Sequence, residues 1–210
     1  MKTFLNTLVA ALVPFLVFGQ MVKNADFIDF MEDGYAAVQI DGQWGFINER
    51  GKLAVNLRDD LIYNENVTTA IDLGVASMKY PMMIEERAIV KTIKEGITYY
   101  GFIDSEAKLV IKHDFLNVSN FKEGYALGLI LSEEILGENK PLNKRVVRYY
   151  YDLVLIDKEG HIVKYLCGPF PLSYAKEKLE KAPPIIAKDL SPHLIAVKTP
   201  GGKWEVIQID

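Results

Sequence analysis

Apolar and polar positions alternate along much of the chain in short runs punctuated by Gly, Asp and Asn. Residues 35–40 (YAAVQI) and 43–48 (QWGFIN) flank Asp41-Gly42, a type I′ turn signal between two strand-length runs. A two-residue turn there sets Val38 opposite Gly45 and Ala36 opposite Ile47. A turn at Glu95-Gly96 sets Val90 opposite Gly101 and Ala88 opposite Ile103. A turn at Gly201-Gly202 sets Lys198 opposite Glu205 and Ala196 opposite Ile207. Between these, the same frame puts Ala126 opposite Ile156 and Gly128 opposite Val154, with small and large residues exchanged. Register is tightly specified where one face is buried, so the recurring Ala–Ile pair predicts a shared packing site.

The second strand of each hairpin recurs as Trp44-Gly45-Phe46-Ile47-Asn48, Tyr100-Gly101-Phe102-Ile103-Asp104, Leu153-Val154-Leu155-Ile156-Asp157 and Trp204-Glu205-Val206-Ile207-Gln208, at offsets of 56, 53 and 51 residues. A period near 50 marks a repeat architecture. Polar links at 48–51, 104–107 and 157–160 lead into a third strand, so the unit is a meander. Trp44 and Phe46 fall on the face opposite Gly45 and Ile47, and a sheet apolar on both faces needs neighbours stacked on it. Gly45 and Gly101, lacking Cβ, permit close approach of another strand. The expected fold is all-β: four degenerate antiparallel hairpin or meander repeats in an open twisted stack. The units span 27–56, 86–112, 121–166 and 185–210. A closed, propeller-like ring is the alternative, disfavoured by unequal unit lengths.

Three segments fall outside the meander. Leu129 to Arg148, with Glu133-Glu134, Gly137 and Pro141, is expected to be a long inserted loop. Residues 173–181 (SYAKEKLEK) predict one short helix, capped by Ser173 and stopped by Pro183-Pro184. The stretch 56–85 joins the first two units and is expected to add a strand at Val75 to Tyr80.

Asp33-Gly34-Tyr35-Ala36-Ala37-Val38, Asp41-Gly42-Gln43-Trp44-Gly45-Phe46-Ile47-Asn48 and Gly51-Lys52-Leu53 together resemble one unit of the WG-repeat family. Phe121-Lys122-Glu123-Gly124-Tyr125-Ala126 repeats the opening of that motif, and Lys108 to Phe115 resembles the stretch joining one unit to the next. The second unit has Glu86-Arg87 in place of Gly-Tyr, the third Leu153-Val154 in place of Trp-Gly, and the fourth Glu205 in place of Gly. The resemblance implies an interaction module in a bacterial exported or surface setting, and supplies no catalytic residues.

The amino terminus has a separate character. Lys2 precedes a compact apolar run from Leu8 to Phe18, followed by the small residue Gly19. That is the pattern of a cleaved signal peptide, residues 1–19, with residues 20–210 as the mature repeat domain. The run is too short for a transmembrane helix, so no membrane span is expected after cleavage. Of the 210 residues, 50% are apolar and 25% charged, the composition of a folded globular protein. A formal net charge of −4 argues against nucleic acid as partner. Cys167 is the only cysteine, so no intrachain disulfide forms; a small buried apolar role is expected for it.

Candidate chemistry is sparse. His113, His161 and His193 lack metal-ligand spacing. Asp59-Asp60 lacks the calcium-loop pattern. No nucleophile elbow, P-loop or dinucleotide fingerprint occurs, so no catalytic, cofactor or metal residues are expected. The densest aromatic cluster is Tyr149-Tyr150-Tyr151, flanked by Arg145 and Arg148. On a strand, Tyr149 and Tyr151 point the same way, with Arg145 on that side by parity; these three are the expected partner-binding residues, although Leu153 and Leu155 share the parity and would make the row core. The expected function is an exported, non-catalytic binding protein whose partner is a protein or an envelope polymer. The alternative is a secreted hydrolase with a site assembled across repeats.

Overall fold

The computed structural model describes residues 21–67, 71–172 and 181–209. The expected leader 1–19 lies outside these residues, as does the expected helix at 173–181 except for Lys181. Fourteen strands are present among them. Strands β1 (Phe27–Ile28), β2 (Tyr35–Ile40), β3 (Gln43–Asn48) and β4 (Leu53–Arg58) form a four-stranded antiparallel sheet in chain order. Strands β5 (Met83–Ile84), β6 (Arg87–Lys94), β7 (Ile97–Ile103), β8 (Leu109–Val118), β9 (Ala126–Asn139), β10 (Lys144–Ile156) and β11 (Ile162–Pro171) form a seven-stranded one. Strands β12 (Ala187–Ser191), β13 (Leu194–Lys198) and β14 (Trp204–Gln208) form the third. None of the three sheets closes on itself, which makes this an open β-repeat fold.

The expected registers hold in three hairpins. Ala36 pairs with Ile47, Ala88 with Ile103, and Ala126 with Ile156. The turns Asp41-Gly42 (φ 49° and 79°) and Glu95-Gly96 (φ 51° and 80°) have the positive φ at both central residues that type I′ demands. At Gly45 an added Cβ would lie 2.7 Å from the Val55 carbonyl oxygen. Gly101 stands in the same relation to the Ile111 carbonyl. In both repeats the third strand bulges over the glycine, because the pairing skips from Trp44–Arg58 to Phe46–Val55 and from Tyr100–Phe115 to Phe102–Ile111. The Trp-Gly step therefore makes room for backbone, which no side chain would allow.

The fourth hairpin departs from expectation. Lys198 pairs with Trp204, Ala196 with Val206, and Ile195 with Ile207. Lys198–Glu205 and Ala196–Ile207 are thus each wrong by one residue. Thr199 N–H donates to the Lys203 carbonyl (2.9 Å) and Gly202 N–H to the Thr199 carbonyl (2.8 Å), so three residues, Pro200 to Gly202, make the loop. Pro200 suits the first corner of a type I turn, and Gly202 (φ 77°) the left-handed residue after it. Ile195 takes the place that Ala36 holds in the first repeat.

Two further expectations are corrected. The segment Leu129–Arg148 is a long hairpin, with β9 and β10 paired from Ala126–Ile156 out to Asn139–Lys144. Its β-branched and aromatic residues sustain the pairing. Glu134 is held by the Tyr150 hydroxyl (2.9 Å) and by Arg148 (3.9 Å). Val75 to Tyr80 is not a strand but opens with a 3-10 turn at Val75–Ser77. Its backbone is claimed by side chains: Asp72 accepts from Gly74 N–H (2.8 Å), and Asn117 from Val75 N–H (2.9 Å).

The core forms three layers between successive repeats. Ala37, Trp44 and Phe46 pack on Ala88, Val90 and Ile103. Ile89, Tyr100 and Phe102 pack on Ala126, Val154 and Ile156. Leu127, Leu129, Leu153 and Leu155 pack on Ala187, Ile195 and Val197. One rule covers all three: the aromatic or large-aliphatic face of a repeat lies on the Ala–Ile face of the next, with Ile195 in the alanine's place in the fourth repeat. Strand β8 passes from one layer to another, with Phe115 and Val118 in the second and Leu116 in the third.

Candidate functional site

Each repeat opens with a tight turn before its first long strand. The first three turns are Asp33-Gly34, Glu85-Glu86 and Glu123-Gly124, all with positive φ, closed by the pairs Glu32–Tyr35, Ile84–Arg87 and Lys122–Tyr125. Glu86 (φ 63°) holds the left-handed position that Gly34 and Gly124 occupy. The fourth turn is Pro192-His193, between Ser191 and Leu194.

The stacking brings the four openings to one side of the molecule. There they bound a cleft of about 530 Å³, to which Glu32, Ile84, Glu123 and Pro192 contribute from the four repeats. Its apolar lining includes Tyr80, Met82, Phe121 and Tyr125. The segment 73–80 forms part of the wall and is anchored by buried polar groups. Asn117 Oδ1 receives Val75 N–H, its amide donates to the Pro183 carbonyl (2.7 Å), and Asp72 receives Ile185 N–H (2.9 Å). Such satisfied buried networks fix a wall rigidly.

The cleft's charged groups are mainly carboxylates. Asp29, Glu32, Glu123 and Asp189 line it, with Lys79 and Lys122. Lys122 is already paired with Asp189 at 2.9 Å. No His or Cys is among the lining residues. The three lining serines are tied up in backbone bonds: Ser77 donates to the Gly74 carbonyl (2.8 Å), Ser119 donates to the Asn120 carbonyl and accepts from Leu127 N–H (2.9 Å each), and Ser191 accepts from His193 N–H (3.3 Å). The arrangement suits holding a ligand with an apolar body.

The residues singled out from sequence lie elsewhere. Arg145, Tyr149 and Tyr151 are all on β10, outside the cleft. Tyr151 is half-buried and stacks on Phe170, with centroids 4.9 Å apart and rings 11° from parallel. It lines a smaller cavity of about 90 Å³ with Leu129, Leu153 and Ile185. Burial, followed by the neighbouring Cys167, pushes the Tyr151 hydroxyl above its ordinary pKa. Tyr149, half-buried, sits opposite Glu133, and Arg145, exposed, opposite Glu138 near the hairpin tip. The row thus runs from core at Leu155 and Leu153 to solvent at Arg145. The cleft had one signal in the sequence, Asp-Gly or Glu-Gly before Tyr, which marks the first and third opening turns without showing that the turns meet.

Asp157, Glu159 and His161 bring carboxylate and imidazole atoms within 4.8 Å of one another. The Asp157 carboxylate is engaged there as a turn lock, accepting from Glu159 N–H (3.0 Å) and His161 N–H (2.8 Å). Burial raises its pKa, but the hydrogen bonds from His161 and Glu159 outweigh burial and leave it lowered. Asn48 and Asp104 make the same bonds in the first two repeats.

The family model described as the WG containing repeat matches residues 26–44 and 100–127. These stretches hold the first repeat's opening turn and hairpin as far as Trp44, and the run from Tyr100 through the Glu123-Gly124 turn. No curated protein and no solved structure gives a significant match to the chain.

Proposed function

We propose that this chain, which carries WG containing repeats, is an exported, non-catalytic binding protein that seats a segment of its partner in the cleft between the four opening turns. The observation that carries this reading is the cleft itself. Its volume of about 530 Å³ lies in the range of ligand sites, it draws on all four repeats, and its serine hydroxyls are bonded to backbone. Export rests on Lys2, the apolar run Leu8 to Phe18 and Gly19.

A panel of fluorescein-labelled hexapeptides, mixing Leu or Phe with neutral or charged residues, tests the binding role by anisotropy. Ser191→Trp fills the cleft from an exposed position. The expected result is micromolar binding of some peptides, lost in Ser191→Trp while Tm stays within a few degrees, with every peptide recovered intact by mass spectrometry. Binding that survives Ser191→Trp, or cleavage of a peptide, overturns the reading. For export, intact mass of protein from its native host should place the mature terminus at or near Gln20; retention of Met1 and the apolar run refutes it.

A further inference from the structure

The opening turns are linked by a relay of hydrogen bonds. Glu85 N–H in the second repeat donates to the Asp33 carboxylate of the first (2.9 Å). Gly124 N–H in the third donates to the Glu85 carboxylate of the second (3.0 and 3.3 Å). In each step the acid that begins a turn receives a backbone donor from the turn of the next repeat. Lys158 reinforces Glu85 at 3.5 Å.

The third step is missing its donor. Glu123 is the acid in this position, and the next turn begins at Pro192, which has no N–H. The following N–H, of His193, goes to Ser191. Among the described residues nothing bonds the Glu123 carboxylate, and both Glu123 and Pro192 line the cleft. Of the other charged lining groups, Lys122 and Asp189 neutralise each other, which leaves Asp29 and Glu32 with Glu123 against Lys79. The cleft therefore presents an acceptor with an unfilled place, an excess of negative charge, and an apolar wall including Phe121 and Tyr125 beside it.

We infer that the ligand completes the relay: the cleft takes a polypeptide segment carrying a lysine or arginine next to apolar side chains, with the cationic group on Glu123. This rests on the cleft being the binding seat, and adds the chemistry of what it seats. A charge-assisted hydrogen bond gives an ammonium or guanidinium its preference over a neutral isostere.

The test compares a fluorescein-labelled hexapeptide of Leu, Phe and one Lys with the same peptide bearing acetyl-lysine, on the wild-type protein and on Glu123→Gln. Glu123 is exposed, so the isosteric change leaves Tm unaltered. The wild type should bind the lysine peptide about tenfold more tightly than the acetylated one, and Glu123→Gln should reduce that ratio to about one. A ratio unchanged in Glu123→Gln, with binding still lost in Ser191→Trp, overturns the role of Glu123 and leaves the cleft standing. Equal binding of both peptides by the wild type overturns the cationic preference. Failure of all peptides to bind at millimolar concentration overturns the cleft reading itself, and this inference with it.

Discussion

At the scale of single residues, the repeat depends on what a position lacks. Gly45 has the Val55 carbonyl 2.7 Å from where a Cβ would stand, and that atom is backbone, which cannot swing aside. Gly45→Ala must push the β4 bulge outward, an overpacking that costs about 1–3 kcal/mol; urea denaturation of the variant measures it. Glu86 is the converse. It holds a left-handed φ of 63° in a position filled by Gly34 and Gly124 in the neighbouring repeats, and its side chain is exposed. Glu86→Gly should stabilise the protein by about 1 kcal/mol, the strain relieved less the entropy of the unfolded glycine. Cys167 is half-buried, and burial, with Glu205 and Asp152 adding to it, pushes its thiol from 9.0 up to about 11. The folded thiol therefore keeps its proton where the unfolded one loses it. The stability this confers is complete below pH 9 and is lost as pH rises towards 11. At pH 8, iodoacetamide should alkylate native Cys167 on the order of 100-fold more slowly than the urea-unfolded chain; equal rates would contradict the burial.

At the scale of elements, turn chemistry decides what the sequence reveals. Where Asp-Gly or Glu-Gly makes a two-residue turn, the register follows from counting outward, and Ala36–Ile47 and Ala88–Ile103 were legible on that basis. At Thr199-Pro200-Gly201-Gly202 two loop lengths compete, and Pro200 favours three residues, because its fixed φ suits the first corner of a type I turn. The odd loop length shifts every pair by one. The strand alignment Trp204–Trp44 and Ile207–Ile47 survived that slip, since it depends on one strand alone. The hairpin at 129–148 was hidden for another reason. Glu133, Glu134 and Gly137 suggest a loop, yet cross-strand pairing with Arg148 and Tyr150 lets the acids remain in a strand. Glycine substitutions separate the two loop lengths. A two-residue turn of type I′ or II′ would need positive φ at Gly201, whereas only Gly202 has it. Gly202→Ala should cost about 1 kcal/mol and Gly201→Ala nothing measurable, or a small gain. Comparable losses at both positions would restore the two-residue turn.

At the scale of the whole molecule, a residue's contribution depends on its place in the stack. The cleft was not legible because it forms where the opening turns of all four repeats meet, and no local pattern encodes which turns will meet. The two tryptophans show the same dependence energetically. Trp44 and Trp204 hold the same place in their repeats, on the face that packs against the next unit. Trp44 has a repeat above it: it is 4% exposed, sits in the layer with Ala88 and Ile103, and meets the rings of Phe27, Tyr63 and Tyr80 at 5.2 to 5.7 Å. Trp204 belongs to the last sheet described, is 42% exposed, and is covered on its ring face by the Lys188 ammonium at 4.9 Å. Truncation at Trp44 removes a buried side chain from between two sheets and should cost about 3–5 kcal/mol. Truncation at Trp204 removes a half-exposed ring and one cation–π contact, about 1 kcal/mol. For a chain of this size the Tm shifts are about 10 °C or more for Trp44→Ala and ~3 °C for Trp204→Ala. Calorimetry of the two variants decides the matter, and equal shifts would mean that Trp204 is as deeply packed as its counterpart, which the face-on-face stacking rule does not allow.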